Sequence, residues 1–379
     1  MPVTALGIDA STQSLSGVVI DVATGDIVWS RSLAYREDPR LRDLGFDHET
    51  MILPPREPGE AEQPPRLFLA ALDALLSDLH ADGVDASAIA AINTSGQQHG
   101  HVYLNAQADA AFAALRDSAS ASDSLVHLLN NCFADIPLRF SATVHRKIAL
   151  RDPEAYAATR HIVQISSLIP ALLAGDCAIP LDFGNACGTG LMNYTQREWD
   201  DVVRHAVADD LPGGADALAA KLPQLAHPLD ACGTVAAYFQ TKYGLSAACK
   251  VVMGSGDNPQ SKVLASGDLL SLGTSFVVRL DDGPADFTHD YAAVIDSSLG
   301  LLYRYGLKIA GPDAANDASS ISVCGGPSTS AGIVKRIAAI WNRPAIQAGQ
   351  ADPVLVKAYH APGGYLDQLE AAFEILRKK

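Results

Sequence analysis

Asp9 ends the apolar run Leu6-Gly7-Ile8 and is followed at once by Ser11, Thr12, Gln13 and Ser14. A carboxylate beside hydroxyls can hold Mg²⁺ through water. The same spacing fits an ordinary turn in which Asp bonds its own backbone. Asp257 follows Gly254-Ser255-Gly256, where the backbone can approach a ligand closely. That carboxylate fits a base taking the proton of an alcohol, or equally a helix N-cap before Asn258-Pro259. Ser95-Gly96-Gln97-Gln98-His99-Gly100 follows a short apolar segment. Gln97 and His99 each offer a donor and an acceptor to the hydroxyls of a polyol, although a lone histidine in a polar loop is more often structural. Gly325-Gly326-Pro327-Ser328 lies between an expected strand and an expected helix. Such a turn could admit a flat base or its ribose, and it also arises for purely steric reasons.

These residues must be positioned by elements, and one pattern occurs twice. Residues 6–21 read as an apolar run, a turn of small hydroxyl residues and a second apolar run. Residues 269–278 repeat this, with Gly273, Thr274 and Ser275 at the turn. Both read as β-hairpins. Backbone N–H groups and hydroxyls at such turns can face phosphate oxygens. Two of them suggest a nucleotide held between two related domains, with Asp9 and Asp257 on opposite walls. The repetition favours the ligand-binding reading of Asp9 over the turn reading.

Further along, residues 27–30 read as a third strand and 54–65 as a loop. Residues 66–80 read as a helix with Leu67, Ala71, Leu75 and Leu79 on one face, and 88–93 as a short buried strand. Residues 161–173 read as a buried helix, kinked or interrupted at Pro170 and closed by Gly175. Residues 250–253 form another expected strand. Ser328 or Thr329 is expected to cap a helix running to Trp341, with Ile333, Ile337 and Ile340 facing inward. The main domain boundary is expected near residue 245, giving domains 1–245 and 246–379.

The chain has 379 residues, which favours two domains. Hydrophobic residues make up 48% and charged residues 19%, which suits buried cores and opposes disorder. A formal net charge of −15 opposes binding to nucleic acid or an anionic membrane. An anionic substrate would need a local metal, backbone N–H groups or hydroxyls. No apolar run approaches the ~20 residues of a membrane span, and the first residues lack a signal peptide's pattern. A cytoplasmic protein is therefore expected. The six cysteines form no close Cys-x-x-Cys pair and read as buried free thiols, without a structural zinc. His101, His127, His145 and His205 have no ligand spacing and read as structural.

In order along the chain, these motifs resemble the FGGY carbohydrate kinases, most closely the xylulokinase-like branch. Gly7-Ile8-Asp9 with Thr12 and Ser14 looks like the first phosphate motif. Residues 95–100 look like the Ser-Gly-Gln-Met-His-Gly sugar loop, with Gln98 for Met. Residues 182–189 resemble Asp-Tyr-Ser-Asp-Ala-Ser-Gly-Thr. Gly256-Asp257-Asn258 matches the segment carrying the catalytic base, residues 271–275 the second phosphate motif, and residues 324–328 the adenosine loop.

The resemblance implies an α/β protein with the actin-like ATPase (ribonuclease H-like) fold: two domains, each a mixed five-stranded sheet flanked by helices. It implies ATP-dependent phosphorylation of a ketose, with D-xylulose converted to D-xylulose 5-phosphate. Asp257 would be the base, and Gln97, His99, Asp257 and Asn258 would contact the sugar. ATP would meet Ser11, Thr12, Gln13, Ser14, Gly273, Thr274, Ser275, Gly325, Gly326 and Ser328. Asp9 would hold Mg²⁺ through water, and a homodimer is a candidate assembly. Gluconate, glycerol or ribulose are alternative substrates, and a catalytically silent sugar- or nucleotide-binding relative is an alternative protein.

The chain departs from the family pattern in three ways. Ser16 stands where the first hairpin usually carries Lys. No Trp occurs between Asn105 and Lys147, where a Trp-x-Asp-x-Arg sugar segment is usual. The stretches at 306–322 and after 343 are short. Either a shortened relative or pieces absent from this sequence would account for that.

Overall fold

The computed structural model describes residues 3–42, 44–47, 49–55, 62–97, 100–117, 124–125, 129, 133–134, 141–193, 195–257, 260, 269–271, 320–324, 328, 330–341 and 343–347. The chain divides into two compact units, Met1–Gln260 and Ser261–Lys379.

The first unit is built on one mixed sheet. Strand β1 (Thr4–Ala10) pairs antiparallel with β2 (Ser14–Asp21), and β2 with β3 (Ile27–Ala34). The two-residue period of a strand sends Leu6, Ile8 and Ala10 of β1 to the buried face, with Leu15 and Val19 of β2. Helix α1 (Pro65–Ala81) packs beneath. Pro65 suits its first position, where a missing N–H costs nothing. Its apolar stripe is wider than expected, because Phe68, Leu69, Leu72 and Leu76 are buried as well as Leu67, Ala71, Leu75 and Leu79.

On the other side of β1, β4 (Ile89–Gly96) runs parallel to it. Lys250–Val252 and then Ser255–Gly256 run parallel to the far edge of β4. Ala231–Thr234 closes that edge antiparallel to Lys250–Val252. The sheet has seven strands rather than five, for two reasons. Ala231–Thr234 adds an edge strand, and the strand beside β4 breaks in two at Gly254. Gly254 has φ 70°, and a Cβ there would collide with the carbonyl and hydroxyl oxygens of Thr94. Only glycine lets the chain turn so close to β4.

A smaller sheet forms where β5 (His101–Asn105) pairs antiparallel with Thr159–Gln164. Here the expected helix over 161–173 is corrected. Residues up to Gln164 are strand, and the helix is Ile165–Ala174. A continuous buried apolar run carries no period to separate the two states, and pairing with β5 decides it. Pro170 lies within the helix without breaking it. Proline cannot donate to the carbonyl of Ser166, and the hydroxyl of Thr94 fills that role at 3.2 Å. Gly175, in the left-handed conformation, ends the helix as expected.

The expected boundary at 245 shifts to 260, because Lys250–Val252 and Ser255–Gly256 belong to the first sheet. Asp257 therefore belongs to the first unit. In the second unit Leu269–Ser271, Ile321–Cys324 and Ala345–Gln347 form a parallel sheet in that order. The helix Ala331–Trp341 buries Val334, Ile337, Ala338 and Ile340, while Ile333 is partly buried against the same cluster. Its cap is Ser330, whose hydroxyl accepts from the Ile333 N–H at 3.5 Å, rather than Ser328, while Thr329 lies outside the described residues. The second arm of the downstream hairpin lies outside the described residues.

Gly254→Ala should destabilise the protein by about 2–5 kcal/mol, combining left-handed strain with overpacking against Thr94. Urea unfolding of the two proteins side by side measures it.

Candidate functional site at the carboxyl ends of three parallel strands

Register across the sheet brings the candidate residues of the first unit together. Asp9 of β1 lies opposite Ser95 of β4, and Ser95 lies opposite Ser255. One step further, Ala10, Gly96 and Gly256 form the next row. Gln97 and Asp257 then leave their strands side by side with the β1–β2 turn. Neighbouring strands are ~4.8 Å apart, so the backbones at Asp9 and Ser255 are about 10 Å apart. The two carboxylates thus share one edge of one sheet, which replaces the expectation of opposite walls. In open α/β sheets this edge, at the carboxyl ends of the strands, is where ligands bind.

The turn after Asp9 is held from within. The Ser11 N–H donates to the Ser14 carbonyl at 3.0 Å and closes the hairpin. The Ser11 carbonyl accepts from the Tyr35 hydroxyl at 3.1 Å. The Thr12 carbonyl accepts from Gln63 Nε2 at 2.7 Å, and the Gln13 carbonyl from the Tyr35 N–H at 3.0 Å. In a trans peptide the N–H points opposite to the C=O. With the Ser11 and Thr12 carbonyls engaged from the protein side, the N–H groups of Thr12 and Gln13 are turned the other way, as an anion requires, while the Ser14 N–H faces back across the hairpin toward Ser11. Asp9 Oδ2 accepts from the Ser11 hydroxyl at 2.5 Å. Burial, and then the charge of Asp9, push the Tyr35 hydroxyl well above its ordinary pKa, so it stays a donor.

Gln97 is fixed at both ends. Its N–H donates to the Ala10 carbonyl at 3.0 Å, and its side-chain amide to Gln63 Oε1 at 3.3 Å. Gln63 therefore links the β1–β2 turn to the Gln97 loop, a connection the sequence did not signal. Asp257 is exposed at the start of the segment beyond Ser255–Gly256.

Beneath this edge lies a second link that the sequence showed only as a motif. Asp182 is buried at the head of the short helix Phe183–Gly188. It accepts from the N–H groups of Gly184 (2.8 Å) and Asn185 (3.1 Å), from Asn185 Nδ2 (2.7 Å) and from the Ser255 hydroxyl (2.5 Å). Asn185 Nδ2 also donates to the Ser166 hydroxyl at 2.6 Å. Asp182 thus holds Ser255, two residues before Asp257.

Of the other expected residues, Ser328 is buried in the second unit. His99, Asn258, Gly273, Thr274, Ser275, Gly325 and Gly326 lie outside the described residues. His101 and His145 are structural as expected: both are buried and joined through the Tyr103 hydroxyl, at 3.1 and 2.6 Å. Cys177 and Cys249 are buried thiols, whereas Cys187 is exposed, contrary to expectation. No helix among the described residues is long and apolar enough to cross a membrane.

This sheet order, with an antiparallel meander joined to parallel strands, is the actin-like ATPase fold. Its solved relatives include a xylulose kinase from Rhodospirillum rubrum (TM-score 0.64, 15% identity, 99% of this chain and 98% of that one). A gluconate kinase from Lactobacillus acidophilus is equally similar (TM-score 0.64, 16% identity, 100% of this chain and 90% of that one). The N-terminal domain of the FGGY family of carbohydrate kinases matches residues 4–263, and the chain belongs to that family. The D-xylulose kinase A of Aspergillus niger is 28% identical over 308 residues, covering 71% of this chain and 52% of that protein. The chain spans about half the length of the curated relatives it matches.

Asp182→Ala would strip an acceptor from Ser255, Gly184 and Asn185 and should cost about 3 kcal/mol or more in urea unfolding. Burial raises the Asp182 carboxyl, against the opposing pull of its hydrogen bonds to Ser255, Asn185 and Gly184. A carboxyl raised in the folded state contributes stability present below its unfolded value and lost as pH rises through the folded value. Asp182→Asn should therefore flatten the fall in unfolding free energy over a pH series starting near about 4.

Proposed function

We propose that this chain is an ATP-dependent carbohydrate kinase that phosphorylates D-xylulose to D-xylulose 5-phosphate. The observation that carries the reading is the convergence of Asp9, Gln97 and Asp257 at the carboxyl ends of three adjacent parallel strands. The D-xylulose kinase likeness of its relatives supports the sugar, while the fold by itself suits gluconate equally well.

In this reading the N–H groups of Thr12 and Gln13 and the hydroxyls of Ser11 and Ser14 bind phosphate oxygens. Gln97, already tied to Gln63, presents its amide to a sugar hydroxyl. Asp257 accepts the proton of the hydroxyl that attacks the γ-phosphorus. Phosphoryl transfer passes through a loose transition state, so the proton leaves late and the position of Asp257 matters more than its basicity. The oxygen donors at Asp9 and Ser11 fit Mg²⁺, which takes hard oxygen ligands and keeps several waters. When bound it would neutralise charge on the phosphates. Asp9 would hold it through water. His99 and Asn258 would add sugar contacts, and Gly273, Thr274, Ser275, Gly325, Gly326 and Ser328 would meet ATP. We place the enzyme in the cytoplasm, with a homodimer as its candidate assembly.

The full chain with Mg²⁺-ATP and a panel of D-xylulose, D-ribulose, gluconate and glycerol should release ADP fastest with D-xylulose. Asp257→Asn should lower kcat by about 10²–10⁴-fold while calorimetry still detects sugar binding. Unchanged turnover in that variant overturns the mechanism. Sugar binding by the parent chain without ADP release would mark a catalytically silent relative.

A further inference from the structure

At the other end of the small sheet, three zinc-type donors from distant parts of the chain meet. They are the carboxylate of Asp109, the imidazole of His161 and the thiol of Cys177, with ligand atoms all within 4.8 Å of one another. His161 lies opposite Leu104 in the β5 pairing, whereas Gln164 lies opposite His101, next to the Gln97 loop. The cluster is therefore separate from the kinase site.

Its donors are held by rigid backbone. Asp109 is in the first turn of α2 (Gln107–Asp117), and His161 is within a paired strand. Cys177 follows the left-handed Gly175. There the Asp176 N–H returns to the Ala171 carbonyl at 3.0 Å and the Gly175 N–H to Leu172 at 3.1 Å. A side chain at 175 would press on the Arg116 backbone at 2.7 Å, so the chain can pass α2 this closely only as glycine. The approach of α2 to the end of the Ile165–Ala174 helix is what brings Cys177 to Asp109.

Asp109 Oδ1 receives both neighbours, His161 Nε2 at 3.0 Å and Cys177 Sγ at 3.3 Å. Donors around a tetrahedral zinc, with bonds of ~2.0–2.3 Å, stand at comparable separations. Arg160 approaches the other oxygen, Oδ2, at 3.7 Å and leaves Oδ1 to the cluster. Asp109 is 50% exposed and His161 21%, so a cation can enter from solvent and keep water as a fourth ligand. Cys177 is buried behind them. Thiol and imidazole together select zinc over Mg²⁺ or Ca²⁺, which prefer oxygen ligands.

We propose that Asp109, His161 and Cys177 bind a zinc ion that clamps α2, the Thr159–Gln164 strand and the end of the Ile165–Ala174 helix together. On binding, the thiol releases its proton to solvent. The imidazole carries its remaining hydrogen on Nδ1 and gives the Nε2 lone pair to the metal.

The test uses the full chain without a histidine tag. Calorimetry should show one zinc per chain, and added zinc should raise Tm reversibly to EDTA. Cobalt in place of zinc should give a thiolate-to-metal charge-transfer band that Cys177→Ser abolishes and Cys187→Ser, at the exposed thiol, leaves intact. Asp109→Asn changes an exposed side chain and keeps the fold testable by circular dichroism. It and His161→Gln should each weaken zinc by more than the ~10-fold typical of losing an outer hydrogen-bond partner. Absence of zinc binding, a band that survives Cys177→Ser, or affinity unchanged in both Asp109→Asn and His161→Gln overturns the proposal.

Discussion

Strand β4 is flanked at its carboxyl end by two parallel partners, and the site depends on that pairing. Because Ser95 is in register with both Asp9 and Ser255, a slip of one residue on either side would send one carboxylate to the opposite face. The register is secured from beneath. The Thr94 hydroxyl reaches the carbonyl that Pro170 leaves without a donor, and Gln260 Nε2 donates to the Thr94 carbonyl at 3.3 Å. Asp182 grips Ser255 from the helix that follows its own strand. The edge that carries the candidate chemistry is thus tied at Thr94 to the buried helix Ile165–Ala174 and at Ser255 to the buried Asp182.

How much of this could be read from the sequence follows from the range of the interactions. The first hairpin, α1 and β4 are local patterns of period 2 or 3.6, and each was legible. The ordered motifs identified the family and therefore the actin-like fold. Register was not legible. Nothing in residues 250–257 announces that they pair with β4 rather than begin a second domain. That error alone moved Asp257 to the wrong side of a boundary. The run at 161–173 failed for a different reason, since a fully buried strand followed by a fully buried helix has no polar face to mark the change. The links made by Gln63 and Asp182 were invisible because they join residues far apart in sequence by single hydrogen bonds. The cluster at Asp109, His161 and Cys177 was invisible for the same reason. Its three members lie on three elements and share no motif spacing.

The net charge of −15 sets a problem for any phosphate-binding site in this chain. Long-range charge repels the anion, and within the first hairpin Ser16, opposite Asp9, bonds Ser32 at 2.8 Å and offers no positive charge. Within that hairpin the peptide backbone is the element that can meet an anion. An isolated turn would present carbonyls as readily as N–H groups, and the carbonyls would oppose phosphate. Tyr35 and Gln63 remove that ambiguity by engaging the Ser11, Thr12 and Gln13 carbonyls from the protein side. Tyr35 can do so only while it keeps its proton, and burial beside Asp9 holds the hydroxyl in that form. A short-range array of dipoles can prevail here because it acts within a few ångströms, whereas the field of scattered surface carboxylates is screened over about 8 Å at physiological salt. An acidic surface is therefore compatible with an anionic ligand at this turn, through the hydrogen bonds made on its far side.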